Sequence, residues 1–265
     1  MSIIWETNLS PASASKVFDE LINAWSKEEK KVFVIRGTGL GPDPKDFYDK
    51  NFNLIGTPAA LGEDVKVGDR SAQRSGQIWM EVRYDPKHPD AYRHSANAQP
   101  FHTDGAYIPS FPNATLMACV ANAGIGGETT FIDGDVLVQC LKTENPDLYK
   151  RLCARNVRHA RSGDERDEKI IDFIDGKVEL NWNYYCVAKD IDAEGKEIAE
   201  DFFKFLQTSP GVKAATQAVK LQPGDAVTWK DRRVLHGRNG FVANQESERF
   251  LWKCAVDVGN FGSKN

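Results

Sequence analysis

Apolar residues in the first part of the chain recur at helical intervals. Behind Ser10-Pro11, a pair suited to cap and open a helix, Val17, Leu21, Ile22 and Trp25 line one side. The period then changes. KVFVIRG (31–37) is an unbroken apolar run closed by glycine and predicts a buried strand, and residues 46–53 have the pattern of a short helix. Residues 57–100 are polar, carry several Arg, Asp and Pro, and hold no sustained period; so long a segment is expected to be functional or mobile. Beyond it, strand patterns dominate: TLMACVA (115–121), a GIGGE turn, then TTFID. Helical spacing returns over 133–141, 146–154 and 194–207, the last marked by Ile198, Phe202, Phe205 and Leu206. IIDFIDGKVEL turns on Asp175-Gly176, a strong hairpin signal. The end of the chain, AVKLQPGDAVTWKD, RRVLHGR and FLWKCAVDV, predicts two or three strands.

Short strands, glycine turns and a few added helices predict a mainly β protein with flanking helices, closed as a sandwich or barrel of antiparallel strands. A doubly wound parallel sheet is disfavoured, because no strand leads through a glycine-rich phosphate loop into a helix. The 265 residues, 41% hydrophobic and 10% aromatic, suffice for a substantial core. Without repeat, low-complexity tract or linker, one domain over 1–265 is expected, with a substrate or lid segment near 57–100 and an insertion near 142–215. A net charge of −4 with no dense Lys/Arg block gives nucleic-acid binding no support. No apolar run is long enough to span a bilayer, and the first residues lack a signal-peptide layout, so a cytoplasmic protein is expected. The five cysteines (119, 140, 153, 186, 254) are scattered, odd in number and without a Cys-x-x-Cys pair, which suits a reducing compartment and argues against a thiolate zinc site.

The candidate chemistry begins at FHTDGAY (101–107), where an imidazole and a carboxylate stand two residues apart in a chain with five histidines. On an extended segment His102 and Asp104 project to one face and can reach one ion. Imidazole plus carboxylate suits iron, manganese or zinc. A third ligand must come from far along the chain, and His236, in DRRVLHGRNGF after a predicted strand, is the candidate. Two histidines and one carboxylate on one face of an octahedron form the ligand set of non-haem Fe(II) oxygenases. Arg249, entering the apolar run FLWKCAVDV, is a natural carboxylate clamp, and Thr129 in GGETTF can complete it. If RRVLHGR and RFLWKCAVDV are neighbouring antiparallel strands, Arg249 points into the cavity of His236.

The order of FHTDGAY, GIGGETTF, PGDAVTWKDRRVLHGRNGF and RFLWKCAVD resembles the taurine dioxygenase-like family of Fe(II)/2-oxoglutarate-dependent oxygenases, which includes aryloxyalkanoate and clavaminate-synthase-like members. The resemblance spans roughly residues 101–258, with KVFVIRG as a weaker echo. It implies a distorted double-stranded β-helix (a jelly roll), iron held by His102, Asp104 and His236, and 2-oxoglutarate held at its distal carboxylate by Thr129 and Arg249. Arg238 is the alternative to Arg249 for that carboxylate. It also implies consumption of 2-oxoglutarate and O2 with release of succinate and CO2; since Asp104 is present, hydroxylation or desaturation is favoured over halogenation.

Substrate contacts are expected from Glu81 and Arg83 before the motif and from Trp182 and Asn183 in the insertion. Mixed charges beside aromatic walls suit a small polar molecule, a free amino acid or related carboxylate first, a sulfonate or other organic acid second. Two other classes stand beside an oxygenase: a non-catalytic jelly-roll module that binds a small molecule or metal, and a metal-dependent hydrolase or isomerase. No membrane or nucleic-acid partner is expected, and a homo-oligomer is left open.

Overall fold

The computed structural model describes residues 2–64, 73–89 and 91–261. Its first half comprises β1 (Ile4–Leu9), α1 (Ala14–Trp25), β2 (Val32–Gly37), α2 (Pro44–Ile55), β3 (Gly56–Ala59), β4 (Glu63–Asp64), β5 (Gln73–Arg74), β6 (Met80–Arg83), β7 (Gln99–His102), β8 (Ala114–Ala121) and β9 (Thr129–Asp133). Then follow α3 (Gly134–Glu144), α4 (Pro146–Ala154), β10 (Asn156–Arg161), β11 (Asp164–Lys169), β12 (Ile171–Ile174), β13 (Lys177–Leu180), α5 (Ala193–Thr208), α6 (Pro210–Ala215), β14 (Gln217–Val219), β15 (Ala226–Lys230), β16 (Val234–Arg238) and β17 (Phe250–Val258).

One sheet has the order β1-β2-β15-β8-β17-β3, with β6 also paired to β17; the other has the order β14-β9-β16-β7. The two face each other across a buried layer that contains Val32, Val34, Met117, Phe131, Trp229 and Leu251. Helices cover the outer faces. Phe18, Leu21, Tyr48 and Phe52 of α1 and α2 pack on Phe33, Ile35 and Leu116 of the first sheet, and α3 to α6 pack Leu137, Phe202 and Val212 near Ile132 and Leu235 of the second. This arrangement explains why KVFVIRG reads as continuous: β2 is covered on both faces, so Val32 and Val34 fill the sandwich while Phe33 and Ile35 meet helices. Alternation along β8, β16 and β17 sorts the same way, and the inward positions are the ones available to a site between the sheets.

The structure corrects two sequence expectations and adds two elements that the pattern did not predict. The segment 57–100 is not wholly irregular: β3 and β6 both pair with β17, and Pro58 is tolerated because β3 is an edge strand. The insertion holds a second hairpin, β10 with β11, whose DERDEK strand is masked in sequence by its charges; Ser162 and Gly163 turn it, both at positive φ (57° and 88°). The chain opens with a strand, β1, parallel to β2. Most consequentially, RRVLHGR and RFLWKCAVDV are not neighbours: β16 lies in the second sheet and β17 in the first, so Arg249 and His236 approach the cavity from opposite walls. The expected lid near 57–100 falls partly on residues 65–72 and 90, outside the described residues. No helix among the described residues is long and apolar enough to cross a membrane. No disulfide joins the five cysteines.

Candidate active site

His236 on β16 stands directly opposite His102 on β7 and Phe131 on β9. Opposed residues of antiparallel strands share a face, so both imidazoles enter the space between the sheets. Their ring centroids are 4.1 Å apart. Asp104 reaches them by a route the sequence did not reveal. β7 ends at His102, and Asp104 sits in the following turn, not on an extended strand. That turn is pinned by Asp231, whose carboxylate accepts hydrogen bonds from the backbone N–H of Asp104 (3.0 and 3.1 Å) and Gly105 (3.4 Å) and from the Trp229 indole (3.3 Å). On its other side, Thr103 donates its backbone N–H to the Trp182 carbonyl at 2.7 Å. The outcome is convergence: ligand atoms of His102, Asp104 and His236 lie within 4.8 Å of one another. Asp104 Oδ1 is 3.6 Å from Nε2 of each histidine.

The surroundings suit a cation held by these three. His102 Nδ1 lies 2.9 Å from the Pro100 carbonyl, so that nitrogen carries the proton and Nε2 turns a lone pair inward. Burial, reinforced by His102, pushes the His236 imidazole down to about 4, which keeps it neutral as a ligand must be. Burial works to raise the Asp104 carboxyl, but Lys253 and His236 outweigh it and hold the group well below the usual carboxylate range. Thr115 Oγ1 donates to Asp104 Oδ2 at 2.7 Å, and Lys253 Nζ donates to Oδ1. Asp231 is pushed up to about 6, first by burial and then by the neighbouring Asp104 charge. Two imidazoles and one carboxylate, with no thiolate near, are the donor set that takes non-haem iron.

Arg249 immediately precedes β17 and is 2% exposed. Burial first, and Arg238 second, pull its guanidinium down to about 9. It donates one long bond, 3.3 Å, to the Gly127 carbonyl, and its Nε is buried with no partner among the described residues. The glycine turn makes the room: a Cβ on Gly127, which has φ 77°, would come within 3.1 Å of Arg249 Nε. Arg238, the alternative, is committed through one nitrogen, while its Nε and Nη1 are, like Arg249 Nε, buried with no partner among the described residues. Its Nη2 donates to the carbonyls of Tyr92 (3.1 Å), Ser95 (2.9 Å) and Asn97 (2.6 Å), so it fastens the 92–97 segment to β16. Thr129 pairs with Arg238 across β9 and β16 and therefore lies on the inward face with His236.

A buried two-histidine, one-carboxylate cluster faces an under-bonded guanidinium across the sandwich. The taurine catabolism dioxygenase TauD, TfdA family matches residues 7–255. This chain belongs to that family. Among the relatives, γ-butyrobetaine dioxygenase of Homo sapiens is 25% identical over 251 residues, 91% of this chain and 61% of that protein. The γ-butyrobetaine dioxygenase of Pseudomonas sp. (strain AK-1) is 26% identical over 218 residues, 77% of this chain and 55% of that one. The chain thus spans about three fifths of the length of these relatives. Of the solved structures, the non-heme iron oxygenase OrfP in complex with Fe and alpha-ketoglutaric acid superposes with a TM-score of 0.67 at 16% identity, covering 96% of this chain and 94% of that one. An asparagine oxygenase in complex with Fe(II), 2S,3S-3-hydroxyasparagine and succinate gives 0.62 at 17%, covering 93% and 80%. The fold is the jelly roll of these TauD-like oxygenases.

Of the residues expected at the substrate, Glu81, Arg83 and the Trp182 side chain lie away from the cluster. Glu81 and Arg83 pair with each other at 2.6 Å. They stand opposite Trp252 and Phe250, on the face of β6 turned away from the inward Leu251 and Lys253. Trp182 is fully buried among Phe202, His159 and Tyr184 in the helical layer, and its contribution to the site is the backbone that holds Thr103. Asn183 donates its backbone N–H to His159 Nε2 at 3.3 Å. Sequence reasoning also passed over Thr115, Asp231 and Lys253. Two were findable: 115, 117, 119 on β8 and 251, 253 on β17 are inward positions of predicted strands. Asp231 carried no such signal, because the groups it pins at the site are backbone N–H groups more than a hundred residues away.

Proposed function

We propose that this chain is an Fe(II)- and 2-oxoglutarate-dependent oxygenase that hydroxylates an unactivated C–H bond of a small carboxylate-bearing substrate, a free amino acid or close relative, with release of succinate and CO2. The observation that carries the reading is the pairing across the sandwich: His102, Asp104 and His236 on one side, and on the other a buried arginine, Arg249, whose Nε has no partner among the described residues. Bound together at the triad, ferrous iron, 2-oxoglutarate and dioxygen supply the oxidising power. The protein's own residues bind and aim. Arg249, with Thr129, holds the distal carboxylate of 2-oxoglutarate through parallel charge-assisted hydrogen bonds. Thr115 and Asp231 fix the carboxylate and the backbone of Asp104.

Lys253 supports the substrate class. Its ammonium contacts Asp104 Oδ1, the oxygen that both imidazoles approach. A cation held by the triad would repel it, and a negatively charged group of the substrate would become its natural partner. The names of the relatives and fold neighbours agree in kind: γ-butyrobetaine, hydroxylated arginine and hydroxyasparagine. A sulfonate or other organic acid is the second reading, since an ammonium recognises any compact anion. The test is oxygen-dependent succinate release across a panel of amino acids, betaines, organic acids and sulfonates, with His102→Ala as control. Succinate coupled to one carboxylate substrate supports the reading; coupling only to sulfonates shifts the class. Turnover without oxygen would leave a hydrolase or isomerase, and ligand binding without turnover a non-catalytic module.

A further inference from the structure

His102 and Gln99 lie three apart on β7, a spacing that on a regular strand sends side chains to opposite faces. Here it does not. His102 stands opposite His236 and Gln99 opposite Arg238, so three steps on β7 match two on β16, and the register shift between these pairs absorbs the extra residue. Bulges beside active sites re-aim side chains in this way. The result is that Gln99 shares the inward face with both histidines, Arg238 and Thr129. Its amide nitrogen lies 3.3 Å from His102 Nε2, the ligand nitrogen of the triad. His102 Nδ1 is the protonated nitrogen, so the contact is an amide N–H donated to the lone pair that a metal would take.

That hydrogen bond and a metal ligand cannot coexist on one lone pair. Once the metal is bound, the amide of the half-buried Gln99 is a donor within reach of the coordination sphere that has lost its acceptor, and a donor left unpaired there is costly. The nearest new acceptors are oxygens of whatever chelates the metal. Gln99 also sits on the rung of Arg238 and Thr129, toward the end of the cavity that Arg249 borders, and not on the Lys253 wall. We propose that Gln99 is a co-substrate-binding residue: its carboxamide donates a hydrogen bond to the metal-chelating carboxylate of 2-oxoglutarate, complementing Arg249 at the distal one. This rests on the oxygenase reading above.

The test is binding, not turnover. Metal-free wild type, Gln99→Leu and Gln99→Glu are titrated anaerobically with cobalt(II), and the cobalt-loaded proteins with 2-oxoglutarate by calorimetry. Loss of one hydrogen bond to a charged group predicts about 10- to 100-fold weaker 2-oxoglutarate binding in Gln99→Leu. Gln99→Glu, nearly the same shape but facing the carboxylate with a like charge, should bind more weakly still. Cobalt affinity in Gln99→Leu should stay within about threefold of wild type, since the amide is not a ligand and its bond to His102 Nε2 must break before metal binds. Binding of 2-oxoglutarate within twofold of wild type in Gln99→Leu overturns the proposal, as does a loss that appears equally in cobalt affinity. If wild type itself binds cobalt but not 2-oxoglutarate, the oxygenase reading fails first, a result distinct from failure of Gln99 alone.

Discussion

Replacing Thr115 with Val probes how far the metal centre depends on residues that never touch the ion. Thr115 is fully buried and donates through Oγ1 to Asp104 Oδ2 at 2.7 Å. Valine has nearly the same volume, and the Thr115 backbone carbonyl would still accept from Thr228 Oγ1, so the strand should stay in place. What disappears is one hydrogen bond to a carboxylate, about 1.5–3 kcal/mol. Before metal binds, Lys253 still pairs with the other oxygen, Oδ1. A metal held by Asp104 would compete with Lys253 for that carboxylate, and Thr115 would then be the donor that still orients it, so the loss should be felt chiefly in the loaded state. Removal of such an outer partner weakens metal affinity by about 10- to 100-fold in other sites, or about 1.4–2.8 kcal/mol, the same size as the hydrogen-bond figure. Cobalt(II) titration of the metal-free protein, with thermal melts to confirm folding, measures it. Thr115→Ser, which keeps the hydroxyl, should bind within about threefold of wild type. A folded Thr115→Val protein that binds cobalt as tightly as wild type, or a Thr115→Ser protein equally impaired, would refute the reasoning.

Arg249→Ala should raise the dissociation constant for 2-oxoglutarate by about 100-fold or more, the scale expected when one member of a buried charge pair is removed, while cobalt affinity changes little; equal losses in both would show that Arg249 only supports the fold. Lys253→Met should raise the substrate KM by at least about tenfold with the 2-oxoglutarate KM nearly unchanged, measured by succinate release; the opposite pattern would place the lysine at the co-substrate. For pH, His159 is the cleanest group, fully buried and away from the cluster. Burial depresses its imidazole to about 4 from an ordinary 6.5. The unfolded chain therefore takes up a proton in a window where the folded chain does not. Stability is present above pH 6.5 and is lost as pH falls toward 4, by about 3 kcal/mol from this residue. Urea melts across that range should show the slope in wild type and a shallower one in His159→Gln; identical slopes would count against it.

Much of the site was legible because its parts depend on residue type and strand period. His102, Asp104 and His236 announce themselves by chemistry, and the GIGGE turn and TTFID strand by glycine and alternation. What could not be read was the reason they meet. Asp104 was expected on the same strand face as His102, but it is delivered by a turn that Asp231 holds through backbone N–H groups. Arg249 was expected on a strand beside His236, yet it comes from the facing sheet. Both geometries depend on contacts between segments more than a hundred residues apart, which local pattern does not encode. The charged β10–β11 hairpin was missed for a similar reason. Its burial comes from packing of Val157, His159 and Arg166 against the rest of the structure, overriding the poor strand propensity of Asp, Glu and Lys. Which face of a strand a charged side chain occupies was also beyond local pattern: Glu81 and Arg83 pair with each other on the side of β6 turned away from the cluster.

The central claim is that one iron and one 2-oxoglutarate share the space between these two sheets. Anaerobic titration of the Fe(II)-loaded protein with 2-oxoglutarate, followed by visible absorption, tests it most directly. A weak charge-transfer band should grow in and saturate at one equivalent, vanish in His236→Ala, and require far more 2-oxoglutarate in Arg249→Ala. No band in the wild-type protein, with iron and 2-oxoglutarate both saturating, would contradict the account.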